Sequence, residues 1–290
     1  MVWSFPAPYS LAPLTALPVR IWTPIEGEFV SKVKNSVSKK LTRGLQLLPI
    51  GVLGRAEAAI QTAQGKGWGG STVDEEVQAA LSLLPSQMIE FPIVLDVGAN
   101  VGAWSAALLL ATPSAQVYQF EPSAAAFAKL EGRFVGDDRA HQVHAALGQH
   151  IGSARLWADA PGSGLGSLYN RRMDHFGINF THFEEVPLQT LDSWRLSNQV
   201  DPSLLKLDVE GHELAVLRGA SETLKSVCVV QFEFGGCNID SRTFFQDYFY
   251  FFREAGFRIL RLGPKGLEPI DRYREIDEVF TTTNFFAQRI

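Results

Sequence analysis

The sequence predicts an α/β protein with a doubly wound, mostly parallel sheet. Three observations predict this fold: strands alternate with helix patterns from residue 91 onward, the first strand is an almost continuous apolar run, and a glycine-containing turn joins it to the first helix. Apolar strands of this kind are typical of parallel sheets with both faces covered. We expect residues 91–290 to form this domain and residues 1–90 to form a helical or irregular N-terminal extension.

Seven short strands carry the pattern. They are predicted at residues 93–97, 116–120, 141–146, 204–209, 227–234, 257–262 and 279–287. Helices are predicted between them at residues 102–111, 124–134, 213–224 and 243–255. Pro113 stops the first of these helices, and Ser123 is expected to cap the second. Strands that alternate with helices at this spacing imply a mostly parallel sheet.

The N-terminal extension has helical character in two stretches, residues 28–48 and 73–84. The second stretch begins with three acidic residues, which suit the positive end of a helix dipole. The first stretch carries a basic patch of Lys32, Lys34, Lys39, Lys40 and Arg43. We expect this patch to be a solvated helix face, and the alternative is a surface for an anionic substrate or partner.

Composition and charge exclude several classes of protein. With 26 basic and 31 acidic residues the formal net charge is −5, and no block of Lys or Arg marks a nucleic-acid binder. The longest apolar run, residues 106–111, is far shorter than the ~20 residues that span a bilayer. Cys228 and Cys237 have no partner at metal-site spacing and are expected to be reduced thiols. The N-terminus lacks a cationic signal-peptide region, so we expect a cytoplasmic protein.

The turn after the first strand is the most informative segment. It reads D-x-G-x-N-x-G from Asp96 to Gly102, at the end of a strand where open α/β sheets bind ligands. A dinucleotide fingerprint would need glycine at position 100, where Asn100 would crowd a pyrophosphate. The spacing suits a ligand without phosphates, such as S-adenosylmethionine. We expect Asp96, Gly98, Ala99, Asn100 and Gly102 to bind it, with Gly102 leaving room beside the helix.

A second cofactor signal lies at the end of the second strand. Glu121 and Pro122 lie there, and Glu121 follows Gly98 by 23 residues. An acid at this place accepts hydrogen bonds from both ribose hydroxyls, and its charge repels a 2′-phosphate. The alternative is a structural carboxylate that caps the next helix. The two elements together favour a nucleoside cofactor.

Three charged residues lie at the end of the fourth strand. In the alternation of the strand predicted over residues 204–209, Lys206, Asp208 and Glu210 share one face. Charges at this position are costly to bury unless they are paired or bound to a ligand. We expect Asp208 to project into the crevice beside the methionine end of the cofactor. The alternative is a structural ion pair with Lys206.

The sequence resembles the FkbM-type family of S-adenosylmethionine-dependent methyltransferases over about residues 92–290. Four collinear stretches carry the resemblance: residues 95–102, 120–122, 188–194 and 206–220. The resemblance implies the class I, Rossmann-like fold with a seven-stranded sheet and an antiparallel last strand. It also implies that Ala145 and Ala146 lie near the adenine, and that residues 163–168 form a small-residue loop ahead of the acceptor region.

The resemblance implies O-methylation, with a sugar, a glycan or a small secondary metabolite as the acceptor. An aliphatic hydroxyl is a poor nucleophile, so a general base or a metal that lowers its pKa is expected. The catalytic candidates are Asp208, His212 and Glu233. The candidate ligands of a Mg²⁺ ion are Asp208, Glu210 and Glu233. The alternatives are a surface imidazole for His212 and a structural acid for Glu233.

Two further segments concern the acceptor side. Residues 169–182 are polar, aromatic and loop-like, and they form either an acceptor lid or a solvated loop. The aromatic run 244–252 is expected to pack into the core, and the alternative is a sugar-stacking or homo-oligomer surface. Two other functions stay open: a nicotinamide-dependent oxidoreductase and a non-catalytic cofactor-binding subunit. Asn100 and the 206–213 motif favour a methyltransferase over the oxidoreductase.

Overall fold

The computed structural model describes residues 39–68 and 72–290 of the chain. The chain divides into two compact units, residues 1–56 and 57–290. The domain boundary expected from the sequence, at residue 90, stays a prediction. Within the described ranges, no helix is both long enough and apolar enough to cross a membrane.

The described part of the first unit is helical. Residues 39–45 form a helical segment, and α1 (Ile50–Ala63) begins after a short turn. The basic-patch residues from position 39 onward are exposed, as a solvated helix face requires. The two earlier lysines of the patch, Lys32 and Lys34, lie outside the described residues, as does the predicted helix up to residue 38.

The second unit is built around an eight-stranded sheet. In spatial order its strands are β10 (Gly266–Ile270), β9 (Phe257–Gly263), β11 (Thr283–Arg289), β8 (Val229–Phe234), β7 (Leu204–Leu207), β1 (Ile93–Val97), β2 (Gln116–Phe120) and β3 (Ala140–Val143). Neighbours from β3 through β8 pair in parallel, whereas β11 pairs antiparallel with both β8 and β9. The doubly wound sheet with an antiparallel last strand is therefore confirmed, and β10 adds an eighth strand as a hairpin on β9.

Helices lie against both faces of this sheet. The helices of this unit from residue 73 onward are α2 (Val73–Ser82), α3 (Ser86–Ile89), α4 (Ala103–Ala111), α5 (Ala124–Arg133), α6 (Leu191–Asn198), α7 (Glu213–Arg218), α8 (Cys237–Ser241) and α9 (Phe245–Glu254). Successive residues of β1 point to opposite faces. Val94 packs in a cluster with α2, α4 and α5, and Leu95 packs in a cluster with α6, α7 and α9. Because both faces are covered, β1 reads as an apolar run in the sequence.

The aromatic run packs into the core, as predicted. Four of its side chains on α9 are buried: Phe245, Tyr248, Phe249 and Phe252. The ring of Tyr248 stacks on Phe232 of β8, with 5.3 Å between the ring centroids. Such pairs stabilise beyond the apolar area they bury.

The strand and helix that carry the fourth-strand motif are shorter than predicted. β7 ends at Leu207 rather than at residue 209, so Asp208 and Glu210 lie in the turn that follows and do not continue the strand alternation. The helix predicted over 213–224 ends at Arg218, before Gly219. A Cβ at Gly219 would lie 2.1 Å from the backbone oxygen of Gly148, so the chain must pass there without a side chain.

A three-stranded sheet lies outside the predicted pattern. Its spatial order is β4 (Ala146–Leu147), β6 (His182–Gln189) and β5 (Gly152–Ala158), and β5 and β6 pair antiparallel. The predicted strand 141–146 is therefore divided, because β3 stays in the main sheet while Ala146 begins β4. Only Ala146, Leu156 and Val186 form the buried cluster of this sheet. With so few apolar positions, its strands give a weak signal in the sequence.

Candidate functional site

A cleft opens at the carboxyl ends of β1, β2 and β7. Seven residues expected to bind a cofactor line it: Gly98, Asn100, Glu121, Pro122, Ala145, Ala146 and Asp208. Glu210 and His212 line it as well. The other expected site residues, Asp96, Ala99, Gly102 and Glu233, lie outside the lining. The three strand ends thus bring together residues that are far apart in the sequence.

The turn after β1 is compact because three of its residues, Gly98, Asn100 and Gly102, adopt positive φ. Gly98 has φ 78°, and a Cβ there would lie 1.8 Å from the backbone oxygen of Asp208. Only glycine fits this close approach. Asn100 has φ 49°, and its backbone N–H donates to Glu121 Oε2 at 2.8 Å. The turn therefore joins the ends of β1, β2 and β7 around the cleft.

Gly102 has a packing role in this structure. It lies at the N-cap of α4 with φ 76°, and a Cβ there would lie 2.4 Å from Phe134 and 2.7 Å from Leu130. The sequence predicts that a ligand occupies the space beside Gly102. Two apolar side chains of the protein fill it instead, because α5 packs closely against the start of α4.

Glu121 is buried at the edge of the cleft, and both of its carboxylate oxygens accept backbone hydrogen bonds. Oε2 accepts the Asn100 N–H, and Oε1 accepts the Ser123 N–H at 2.8 Å. Burial raises the pKa of Glu121 to about 7, although these two hydrogen bonds act to lower it. A carboxylate oxygen has two lone pairs, so each can accept a further hydrogen bond from a ligand hydroxyl.

A buried ion-pair network links the β1 turn to β7. Lys206 Nζ lies 3.2 Å from Asp96 Oδ1 and 3.3 Å from Asp208 Oδ2, and it donates to the Gly98 oxygen at 3.1 Å. Burial acts to lower the pKa of Lys206, but the two carboxylates outweigh it and the pKa is raised. Asp96 is fully buried and accepts a hydrogen bond from Ser105 at 2.6 Å. The Asp208 side chain is 44% exposed, so it pairs with Lys206 and also lines the cleft.

The turn after β7 is fixed to residues 167–171, which lie at the end of the small-residue loop that lines the cleft. Ser167 Oγ donates to the Glu210 backbone oxygen at 2.7 Å, and Arg171 forms an ion pair with the Glu210 carboxylate. Tyr169 OH lies 3.2 Å from His212 Nδ1. The beginning of the predicted lid is therefore attached to the turn that carries two of the candidate catalytic residues.

Burial sets the protonation of the side chains in this turn. It lowers the pKa of His212 to about 4, so the imidazole is neutral at pH 7. It raises the pKa of Glu210 to about 7, and the charge of Asp208 adds to the rise while Arg171 opposes it. His212 stands at the N-cap of α7 and lines the cleft, so it is not a surface imidazole.

Glu233 lies beside Glu210 and Cys237, behind the cleft. The possible metal-ligand atoms of these three residues lie within 4.8 Å of one another, and among the described residues this group does not include Asp208. Burial raises the pKa of the Cys237 thiol and, with the charge of Asp208 next, raises the pKa of Glu233 well above its usual value. A thiol in the donor set suits poorly the hard oxygen coordination of Mg²⁺.

Some polar atoms of the cleft were not foreseen from the sequence. Ser123 stands at the N-cap of α5, but its side chain makes no capping hydrogen bond. Ser123 Oγ and Asn100 Oδ1 are both buried without a hydrogen-bond partner. Buried polar groups in folded proteins are nearly always paired, so these two atoms mark a place for a polar ligand. A serine after a strand reads as a helix cap, and the sequence offered no sign of this second role.

The buried carboxyl groups predict that stability falls as the pH rises towards neutrality. Burial raises the pKa of Glu121, Glu210 and Glu213 from 4.5 to about 7. Between these values the folded protein holds protons that the unfolded chain has lost, so the free energy of unfolding decreases with rising pH. His212 acts in the opposite direction only below its unfolded pKa of 6.5, where one group is outweighed by three.

We expect the urea midpoint of the ligand-free protein to decrease between about pH 5.5 and about pH 7.5, as followed by circular dichroism. The Glu121→Gln variant should show a weaker dependence because one titrating group is removed. Glu222→Gln, which removes an acid on the protein surface, is the control and should keep the wild-type slope. A midpoint that rises over this range would contradict the prediction.

Comparisons with known proteins agree with this geometry. A family model described as the methyltransferase FkbM domain matches residues 96–259. The 2-O-methyltransferase NoeI of Sinorhizobium fredii is 26% identical over 155 residues, which cover 49% of this chain and 63% of that protein. The match thus spans less than two thirds of the length of this curated relative.

Two solved structures of methyltransferases are among those similar to parts of this chain. Methyltransferase FkbM from Methylobacillus flagellatus KT is 17% identical, with 68% of this chain and 44% of that chain covered and a TM-score of 0.43. The magnesium protoporphyrin IX methyltransferase of Synechocystis PCC 6803, solved with bound SAM, is 15% identical, with 80% and 84% covered and a TM-score of 0.42.

The family model spans more than half of the chain. Its match begins at Asp96, in β1, and ends within β9, so it includes the turns after β1 and β7. The chain therefore belongs to the methyltransferase FkbM domain family.

Proposed function

We propose that this chain is an S-adenosylmethionine-dependent O-methyltransferase that acts on a hydroxyl of a sugar, a glycan or a small secondary metabolite. The observation that carries the proposal is the convergence of Gly98, Glu121 and Asp208 on one cleft. The carboxyl ends of strands in open α/β sheets are where nucleoside ligands bind. The relative NoeI is named a 2-O-methyltransferase, which supports transfer to oxygen.

The described residues fit this cofactor. Glu121 has lone pairs for both ribose hydroxyls, and the exposed side of Asp208 suits the ammonium group of the methionine end. The unpaired atoms Ser123 Oγ and Asn100 Oδ1 would gain partners from a polar ligand. Among the described residues that line the cleft, none is a Lys or an Arg, which suits a ligand without phosphates better than a dinucleotide.

The chain has two tasks in the proposed reaction. When bound, the cofactor supplies a methyl group that its sulfonium already activates. The protein must hold the acceptor oxygen in line with that methyl group and take up the hydroxyl proton. We propose that His212 takes up this proton, because its ring lines the cleft and is neutral at pH 7. The contact with Tyr169 OH orients the ring. Asp208 stands beside it and orients the methionine end.

Glu233 and Mg²⁺ have no step in this proposal. The donor set that converges behind the cleft contains the Cys237 thiol, while Asp208 is engaged by Lys206 at 3.3 Å. These residues do not fit a hard oxygen site, so we derive no chemistry from a metal. Glu233 lies next to Glu210 and outside the cleft lining, so it is assigned no contact with the acceptor.

Calorimetric titration tests the cofactor, and labelled-methyl transfer tests the reaction. We expect S-adenosylmethionine and S-adenosylhomocysteine to bind, and NAD to give no heat. Tight binding of NAD without a response to the other two would overturn the proposal. Transfer of labelled methyl into cell extracts, followed by mass spectrometry, should place the label on oxygen, and a label on nitrogen or carbon would refute O-methylation.

Glu121 gives the cofactor proposal a quantitative test. Glu121→Gln removes the charge that ribose hydroxyls would meet, and we expect the Kd for S-adenosylhomocysteine to rise about tenfold. Glu184→Gln is the matched control, because Glu184 also accepts a backbone N–H, from Ala124 at 3.1 Å, but does not line the cleft. The control should bind like the wild type. Equal Kd values for the two variants would show that Glu121 does not bind the ligand.

A further inference from the structure

The turn after β7 has an unusual backbone conformation. The Val209 oxygen accepts the His212 N–H at 3.4 Å, and the two residues between them have positive φ, 51° at Glu210 and 100° at Gly211. Positive φ is uncommon for a residue other than glycine. A conformation of this kind persists only where the surrounding structure holds it. Some contact must therefore stabilise the turn at Glu210.

Glu213 supplies such a contact from within the core. Its side chain is fully buried, and Oε1 accepts the N–H of Val209 at 3.0 Å and the N–H of Gly211 at 3.2 Å. Its Oε2 accepts the Tyr248 hydroxyl at 3.3 Å, and Asn238 donates to that hydroxyl at 3.0 Å. In the described part of the chain, Glu213 is the one acceptor for these two backbone N–H groups.

The contacts that Ser167 and Arg171 make with the turn do not involve these two N–H groups. Arg171 pairs with the Glu210 carboxylate, and Ser167 donates to the Glu210 backbone oxygen. Both hold acceptor groups of the turn. The donor groups depend on Glu213, and a buried donor without a partner is costly.

We propose that Glu213 is a positioning residue, whose carboxylate holds the segment 208–211 so that Asp208 and His212 face the cleft. The inference rests on the proposed function in one respect, since it takes the cleft as the cofactor site. Glu213 itself does not line the cleft, so it acts through the turn.

Two substitutions of Glu213 distinguish the effect of the position of Oε1 from the effect of the carboxylate charge. Glu213→Gln keeps an oxygen at the place of Oε1, whereas Glu213→Asp keeps the charge and withdraws both oxygens by one carbon–carbon bond. We expect Glu213→Asp to raise the Kd for S-adenosylhomocysteine about tenfold, equal to about 1.4 kcal/mol, and Glu213→Gln to raise it less than about threefold. The opposite ranking would mean that charge matters and position does not, and would overturn the inference.

Asp192 provides a matched control for general destabilisation. It accepts the backbone N–H groups of Glu222 at 3.0 Å and Thr223 at 2.7 Å, and it does not line the cleft. Asp192→Glu moves a carboxylate by one carbon–carbon bond, as Glu213→Asp does. We expect both variants to lower the melting temperature, but only Glu213→Asp to weaken binding. If Asp192→Glu weakens binding equally, the role of Glu213 is merely structural and the inference fails.

A double-mutant cycle with Asp208→Ala tests whether Glu213 acts through the turn. Coupled residues give non-additive effects, so Glu213→Asp should change the Kd little in the Asp208→Ala background. A full tenfold loss in that background would contradict the inference. If Glu213→Asp does not fold, Tyr248→Phe replaces it, since it removes the donor to Oε2 and should weaken binding by a smaller factor.

Amide hydrogen exchange separates this inference from the proposed function. Exchange at Val209 and Gly211 should accelerate in Glu213→Asp and stay unchanged in Asp192→Glu. If the wild-type protein binds no S-adenosylhomocysteine, the cofactor proposal fails, and the exchange rates alone decide whether Glu213 holds the turn. If the protein binds the ligand but exchange and Kd are unaffected in Glu213→Asp, the inference fails and the cofactor proposal stands.

Discussion

Replacement of Gly98 by alanine is expected to abolish cofactor binding and to lower the free energy of unfolding by more than about 3 kcal/mol. The added Cβ would lie 1.8 Å from the oxygen and 2.8 Å from the carbonyl carbon of Asp208. Both are backbone atoms, so no side-chain rotation can relieve the contact. The ends of β1 and β7 would have to separate, and the cleft lies between them. Urea unfolding and calorimetric titration with S-adenosylhomocysteine measure the two effects.

Gly136→Ala is the control for the conformational part of this effect. Gly136 has φ 81°, close to the 78° of Gly98, but no atom lies within 4 Å of an added Cβ. Its replacement should cost only about 1–2 kcal/mol, the usual penalty of a left-handed backbone, and should leave binding intact. If the two variants lose equal stability, the close approach to Asp208 does not constrain the turn.

Replacement of Lys206 by methionine is expected to lower the free energy of unfolding by about 3–5 kcal/mol. Methionine fills a similar volume, so the effect isolates the charge. Asp96 is fully buried, and without Lys206 its Oδ1 would be an unpaired buried charge. Asp208 is 44% exposed and can be solvated instead. Chemical denaturation measures the loss, and the ligand Kd should also rise because Lys206 holds the Gly98 oxygen.

A second substitution tests the origin of this loss. In the Lys206→Met background, Asp96→Asn removes the unpaired charge and should restore part of the stability. Lys225→Met is the surface control, because the Lys225 side chain is 70% exposed in its ion pair with Glu222. Exposed ion pairs contribute little to stability, so this variant should unfold like the wild type. A double variant no more stable than Lys206→Met would show that Asp96 is not the source of the cost.

For the two glycines of the β1 turn, the sequence predicts the position of the turn but not the role of each glycine. The D-x-G-x-N-x-G spacing identified the turn, because strand, turn and helix follow one another within ten residues. The function of each glycine depended on what packs against it. Gly98 lies against the backbone of Asp208, and Gly102 lies against Phe134 and Leu130. All three of those neighbours come from later parts of the chain, so no local pattern could distinguish the two roles.

The charged residues at the end of β7 and in the turn after it likewise depend on the tertiary structure for their roles. Strand alternation placed Lys206, Asp208 and Glu210 on one face, but the strand ends at Leu207 and the backbone reverses at Glu210. The sequence offered an ion pair and a ligand contact as alternatives for Asp208. In the structure Asp208 pairs with Lys206 and also lines the cleft. The choice was decided by exposure, which depends on the surrounding fold.

The sequence by itself determined the doubly wound sheet, its antiparallel last strand through the family resemblance, and the loops that form the cleft. These features follow from apolar periodicity and from short motifs, in which the informative residues are neighbours. The tertiary structure alone decided which side chains face the cleft, which carboxyl groups have a raised pKa and which side chain accepts the backbone N–H groups of the turn after β7. Such properties depend on burial and on contacts between distant residues, such as Lys206 and Gly98, which are 108 positions apart.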